Sequence, residues 1–198
     1  MATTTNFEKH TTKNPLGKAF LNNFLKTVVS TIRPLQINSV LDVGCGEGFT
    51  LARLKKEKIG TIHEGIEYDQ TAIELGKKLY PKILIKQGDI YNLPYKSNSF
   101  DLVVCTEVLE HLDNPRKAYR ELVRVSRKYV LLSVPNEPWF TVQRMARFQN
   151  ILHLGAHPEH IQHWTAGAFS KFVKIRGVKL ETRKFPIPWT MVLLRKGR

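Results

Sequence analysis

Apolar positions along this chain follow two alternating rhythms, one of helical spacing and one of short continuous runs. Leu16, Phe20, Phe24 and Val28, with Leu21, Leu25 and Ile32, recur every three or four residues behind Asn14-Pro15 and ahead of Arg33-Pro34. That spacing, with a capping Asn and Pro at the first helical position, predicts a leading helix over 14–33. Val40 to Val43 then reads as a strand, and Leu51, Leu54 and Ile59 mark the inner face of a helix from Phe49 to Lys58. Thr61 to Glu67 is the second strand. Asp69 caps a helix from Gln70 to Leu79 that turns Ala72, Ile73, Leu75 and Leu79 inward. Lys82 to Gln87 and Phe100 to Cys105 follow as strands, and Asp113-Asn114-Pro115 starts a helix over 115–127 with Ala118, Leu122 and Val125 on one face. A fifth strand, Tyr129 to Val134, a helix from near Thr165 carrying Phe169, Phe172, Val173 and Ile175, and strands near 180–185 and 189–194 complete seven strands. Strands alternating with helices predict an α/β fold with a doubly wound, mostly parallel sheet in a single domain over 1–198. The first 13 residues are polar and read as loose.

The chemistry gathers at the ends of these strands. The first strand runs into Asp42-Val43-Gly44-Cys45-Gly46-Glu47-Gly48, where glycine at every second position lets the backbone bend sharply and approach a ligand. A strand, a glycine turn and a helix together place a ligand at the carboxyl end of a sheet. The spacing G-x-G-x-G differs from the G-x-G-x-x-G of dinucleotide folds, which speaks against a nicotinamide-dependent oxidoreductase. Glu67 ends the second strand about 20 residues on, where an acid meets ribose hydroxyls in nucleotide-binding βαβ units. The third strand ends at Gly88-Asp89-Ile90, whose Asp89 is suited to accept from an amino group such as that of adenine. One acid at a strand end is an ordinary surface charge; three at successive strand ends form a pattern.

These residues resemble the class I S-adenosylmethionine-dependent methyltransferases. The resemblance is carried by Leu41 to Gly48, Gly65-Ile66-Glu67, Gly88-Asp89-Ile90, Ser99-Phe100-Asp101-Leu102-Val103 and Glu107-Val108-Leu109-Glu110-His111-Leu112. It is close from Val40 to Val134 and looks most like the small-molecule branch that includes ubiquinone-type O-methyltransferases. It implies a Rossmann-like seven-stranded sheet with an antiparallel last strand, S-adenosyl-L-methionine as cofactor, and a small organic acceptor methylated at O, N or C. The cofactor-binding set expected on this basis is Asp42, Gly44, Cys45, Gly46, Gly48, Glu67, Tyr68, Asp89, Ile90, Thr106 and Glu107. Glu67 stands where many members carry Asp; it keeps the charge and adds a methylene. His111, at the mouth of the fourth strand, is the first candidate for a general base, with a histidine that merely bonds the next turn as the competing reading. His160 and His163 are second candidates.

The segment 136–164 falls on the rim where ligands enter such sheets, and it is rich in aromatic residues and histidine. It is expected to act as a substrate lid. His157-Pro158-Glu159-His160-Ile161-Gln162-His163 has ligand-like spacing but no cysteine partner and no zinc signature, so no metal is expected. Phe7 to His10, just ahead of the leading helix, are placed to fold over the cofactor, as such segments do in related enzymes. Cys45 and Cys105 fall at the ends of adjacent strands and read as reduced packing residues.

Charge adds one open question. The 198 residues carry a formal net charge of +14. Such a balance favours polyanionic partners in general, which keeps an RNA- or protein-directed methyltransferase as the alternative. The basic residues are scattered over many segments, however, with no nucleic-acid-binding motif among them, so nucleic acid is not the favoured partner. No apolar run approaches the ~20 residues of a membrane span, and the opening Met1 to Thr5 lacks a secretory core. A cytoplasmic monomer or homodimer is the expectation.

Overall fold

Seven strands form one sheet in the order β3-β2-β1-β4-β5-β7-β6. The computed structural model describes residues 3–137 and 161–197. The strands are β1 (Ser39–Val43), β2 (Ile62–Glu67), β3 (Leu84–Gln87), β4 (Phe100–Thr106), β5 (Ser126–Pro135), β6 (Val178–Lys184) and β7 (Trp189–Lys196). Strands β1 to β5 pair in parallel, while β7 runs antiparallel to both β5 and β6. Every residue of β1 is buried, as expected for a central parallel strand covered on both faces. The chain order reverses on either side of β1 and β4, so their carboxyl ends form the switch point at which ligands enter such sheets.

The helices are α1 (Thr5–Thr11), α2 (Pro15–Ile32), α3 (Phe49–Lys56), α4 (Gln70–Leu79), α5 (Pro115–Val125) and α6 (Ala166–Phe172). Local signals explain most of their starts. Asn14 accepts from the amides of Leu16 and Gly17 at the head of α2, Asp69 from Thr71 at α4, and Asn114 from Lys117 at α5. Helices α5 and α6 cover one face of the sheet with Tyr119, Leu122 and Phe169; α2, α3 and α4 cover the other with Val28, Ile32, Leu51, Leu54 and Ile73.

Several boundaries and one whole element differ from the sequence expectation. Residues 5–11 are a helix rather than a loose end; Thr4 caps it by accepting from the amide of Phe7. Helix α3 stops at Lys56 because Lys58 takes a left-handed conformation, φ 57°. Leu79 is 42% exposed rather than inward, since it is the last helical residue before the Tyr80 cap. Helix α5 ends at Val125 and β5 begins at once, where Ser126 pairs with Phe100. Helix α6 ends at Phe172, which leaves Ile175 beyond it. The expected lid falls mostly on residues 138–160, outside the described residues.

Lys196, near the end of β7, fastens the α5–β5 corner. Its Nζ donates to the carbonyls of Val123 (2.8 Å), Arg124 (3.3 Å) and Ser126 (2.9 Å) and to Asn98 Oδ1 (2.7 Å). A cation is favoured there because the last carbonyls of a helix lack intrahelical donors. Lys196→Met should lower unfolding free energy by about 1–3 kcal/mol, the usual cost of losing hydrogen bonds to a charged group. A urea transition unchanged in midpoint would refute that role.

Candidate active site

The glycine turn leaves β1 with three left-handed residues in alternation: Gly44 (φ 72°), Gly46 (φ 53°) and Gly48 (φ 86°). At two of them a Cβ would also press on a neighbouring side chain. A Cβ on Gly44 would lie 2.4 Å from Val108 Cγ2, and one on Gly46 would lie 2.4 Å from Asn6 Nδ2. The amides of Gly44 and Cys45 close onto the carbonyl of Ile66 at 2.8 and 3.2 Å, which ties the turn to the end of β2. Glu67, the last residue of β2, folds its carboxylate back over the turn. One oxygen accepts from Gly46 N at 2.7 Å, and the other from Tyr68 N at 2.7 Å and Asp69 N at 3.0 Å. The extra methylene of glutamate gives it that reach.

Two cavities meet at this turn and share Gly44, Glu67 and Val108 as walls. The larger, about 790 Å³, also takes in Asp42, Cys45, Gly46, Thr106, Glu107 and His111. The smaller, about 380 Å³, takes in Tyr68, Asp89 and Ile90 beside Ile66 and Leu112. Ten of the eleven residues expected to bind cofactor therefore line one void or the other. Gly48 lines neither; it heads α3 and faces Ile85. His163 also lines neither, with its Nδ1 3.8 Å from a Glu137 carboxylate oxygen. His160 lies outside the described residues. Among the described residues, no group of three or more His, Cys, Asp or Glu side chains is arranged to hold a metal ion.

Burial sets the electrostatics. Asp42, 2% exposed at the end of β1, has an Oδ1 with no hydrogen-bond partner among the described residues. Burial, and then the charge of Glu67, push its carboxyl up to about 8. Glu110 is 1% exposed, and neither of its carboxyl oxygens has a partner among the described residues. Burial and then the neighbouring Glu107 hold its proton far above the usual carboxylate range. Glu107 is also raised by burial, against the pull of Lys9 and of two donors. Those donors are Ser133 Oγ, at 3.0 Å, and the Trp189 indole N–H. A non-glycine residue at φ 60°, Glu107 carries backbone strain, of a kind that persists where the surroundings over-determine it. Burial also raises both thiols, Cys45 and Cys105, so neither is a ready thiolate.

Helix α1 roofs the larger cavity. Thr4 Oγ1 and Asn6 Nδ2 both donate to the buried carboxylate of Glu47, the latter at 2.5 Å. Lys9 Nζ stands 5.8 Å over the Trp189 ring. His10 stacks on Phe49 with centroids 4.1 Å apart and planes 3° from parallel. Burial first, and Lys9 second, lower the His10 ring to about 3. A depressed histidine contributes stability above its unfolded value of 6.5, and this is lost as pH falls toward 3. The His10 Cε1 proton resonance should accordingly titrate well below 6.5, and Phe49→Ala should bring its midpoint back toward 6.5. A midpoint near 6.5 in the parent would dissolve the stacked, desolvated picture.

Sequence reasoning missed Glu110 and Trp189 as cavity walls; of the segment expected to fold over the cofactor, Glu8, Lys9 and His10 line the larger cavity. Trp189 and Glu107 meet across 82 positions of chain, which no local pattern reveals. The only local sign for α1 was the capping Thr4.

Comparison with known proteins agrees with the geometry. A family described as "Methyltransferase domain" matches residues 41–133. A "Probable S-adenosylmethionine-dependent methyltransferase" of Mycobacterium tuberculosis is 34% identical over 110 residues, 53% of this chain and 38% of the relative. Norajmaline N-methyltransferase of Rauvolfia serpentina is 34% identical over 94 residues, 44% of this chain and 32% of the relative. The chain thus spans well under two thirds of the length of these relatives. Magnesium protoporphyrin IX methyltransferase from Synechocystis PCC 6803, solved with bound S-adenosylhomocysteine, superimposes with a TM-score of 0.72 at 15% identity, covering 98% of this chain and 95% of that one. The glycine turn, the strand order around it and the matched segment make residues 41–133 those of a class I S-adenosylmethionine-dependent methyltransferase.

Proposed function

We propose that this chain transfers a methyl group from S-adenosylmethionine to a small organic acceptor. The observation that carries the reading is the unpartnered Oδ1 of Asp42, buried behind the glycine turn on the wall of the 790 Å³ cavity. A donor bearing both an ammonium and a sulfonium fits an acidic wall, and a backbone without Cβ atoms allows its close approach. Gly44 and Gly46 would border its amino-acid part, Glu67 its ribose, and Asp89 with Ile90 its adenine. When bound, the cofactor supplies a methyl carbon already activated by the positive charge on sulfur. The protein then has to align the acceptor and exclude water. His111, in the short turn Leu109–His111, lines the cavity and would take a proton from an acceptor that arrives protonated.

A small acceptor is supported by where the positive charge lies. Lys9 is the only lysine or arginine on the wall of the larger cavity among the described residues, so the basic excess does not converge on the reacting centre as a polyanion substrate would require. No helix among the described residues is long and apolar enough to cross a membrane. The relatives include norajmaline and ajmaline N-methyltransferases and a protein named O-methyltransferase. Incubation with methyl-labelled S-adenosylmethionine and a fractionated cell extract should place label in the metabolite fraction. Label confined to RNA or protein would overturn the small-acceptor reading.

A further inference from the structure

We propose that the methyl acceptor is a cationic amine, recognised by the carboxylate of Glu110 and the face of Trp189. The proposal rests on the methyltransferase reading above and narrows it to one chemical class. Glu110 is 1% exposed, lines the larger cavity, and has both carboxyl oxygens without a hydrogen-bond partner among the described residues. A buried carboxyl in that state is destabilising unless something completes it. Glu107, the adjacent acid, is already satisfied by Ser133 and Trp189, so Glu110 is the group left to meet a ligand.

The protein itself shows which ligand chemistry the place accepts. Lys9 holds its ammonium 5.8 Å over the Trp189 ring, and its positive charge acts on both Glu107 and Glu110. An aromatic face next to buried acids is the chemistry of ammonium recognition. Lys9 is thus a tethered stand-in for the acceptor, delivered by α1. A carboxylate acceptor would be repelled by the same two acids, and a neutral alcohol would gain nothing from the ring.

The proton and electron pairs then balance as follows. The incoming ammonium drives the proton held by the buried Glu110 carboxyl out to water, and then gives one of its own protons to the carboxylate so formed. The freed nitrogen pair forms the bond to the methyl carbon as the carbon–sulfur bond breaks, and its pair stays on sulfur. Glu110 is thereby left protonated, as it was before the ammonium entered. One proton is released per turnover.

Calorimetric titration of the full chain tests this in two stages. S-Adenosylhomocysteine is titrated first; then, with it saturating, 2-phenylethylamine, tryptamine and tetrahydroisoquinoline are compared with 2-phenylethanol and tryptophol. At least one amine should bind ten-fold or more tightly than its alcohol analogue. Glu110→Gln should weaken that amine ten-fold or more while leaving S-adenosylhomocysteine within three-fold, which also shows that the variant is folded. Lys9→Met should tighten the amine at least three-fold, because a competing cation is removed. Amines no better than alcohols, or amine binding weakened by Lys9→Met, would overturn the proposal and leave the methyltransferase reading standing. Failure of S-adenosylhomocysteine to bind would overturn both.

Discussion

Asp42→Asn is expected to give a cofactor-free protein that is more stable than the parent at neutral pH, and a poorer binder of S-adenosylmethionine. The parent carboxyl is buried and titrates near 8 rather than 3.8, first because it is desolvated and second because Glu67 is close. Between those two values the folded chain keeps a proton that the unfolded chain has given up. Stability therefore falls as pH rises through this window, by about 1.4 kcal/mol per unit, and levels off above pH 8. By pH 7 the penalty is on the order of 4 kcal/mol. Asparagine has no proton to lose and escapes it, although its amide needs a partner of its own and offsets part of the gain. The difference between variant and parent should widen from pH 5 to pH 7.5 by about 2 kcal/mol or more in urea denaturation. Binding runs the other way. A cationic donor favours the ionised carboxylate, so parent affinity should climb from pH 6 to 8 and then flatten, while the variant shows little slope. A stability difference independent of pH would remove Asp42 from this role.

Glu67→Ala should cost roughly 1.5–3 kcal/mol of cofactor affinity, about ten- to a hundred-fold, as expected when hydrogen bonds to a charged group are lost. The structure adds a condition. Both carboxylate oxygens are engaged by backbone amides of Gly46, Tyr68 and Asp69. These three donors leave little of its accepting capacity for two ribose hydroxyls, so cofactor entry is expected to release the bond to Gly46. Glu67→Asp preserves the charge without that reach and should stay close to the parent. Isothermal titration that finds equal affinity in Glu67→Ala would take Glu67 out of the site.

What could be read from the sequence was what the chain decides locally. Val40 to Gly48 declares a strand and a turn into a helix within nine residues, and the acids Glu67 and Asp89 declare themselves by ending apolar runs. The mostly parallel α/β sheet follows from the alternation of strands and helices. Two walls of the larger cavity, Glu110 and Trp189, and the helical form of α1 were not legible for the opposite reason. Glu110 looks like any acid in a short turn until Leu109 and its neighbours bury it. Trp189 looks like core until its indole N–H reaches Glu107. Helix α1 is seven residues long with no buried residue, too short and too polar for periodicity to register. Its place is set by Thr4 and Asn6 gripping Glu47 more than forty positions away. The boundaries that shifted, at Lys56, Val125 and Phe172, are helix ends settled by one backbone angle or one cap, beneath the resolution of hydrophobic spacing.

The way α1 is fastened bears on the tempo of the enzyme. It is held by side-chain contacts at its tips and by one stacked ring, and it joins α2 through only Thr12, Lys13 and Asn14. Such a flap peels off at small cost yet walls the cavity that both ligands of the proposed reaction would occupy. Spent cofactor would then dwell until the flap lifts, and the residence time of product, rather than the displacement at carbon, would set the turnover rate.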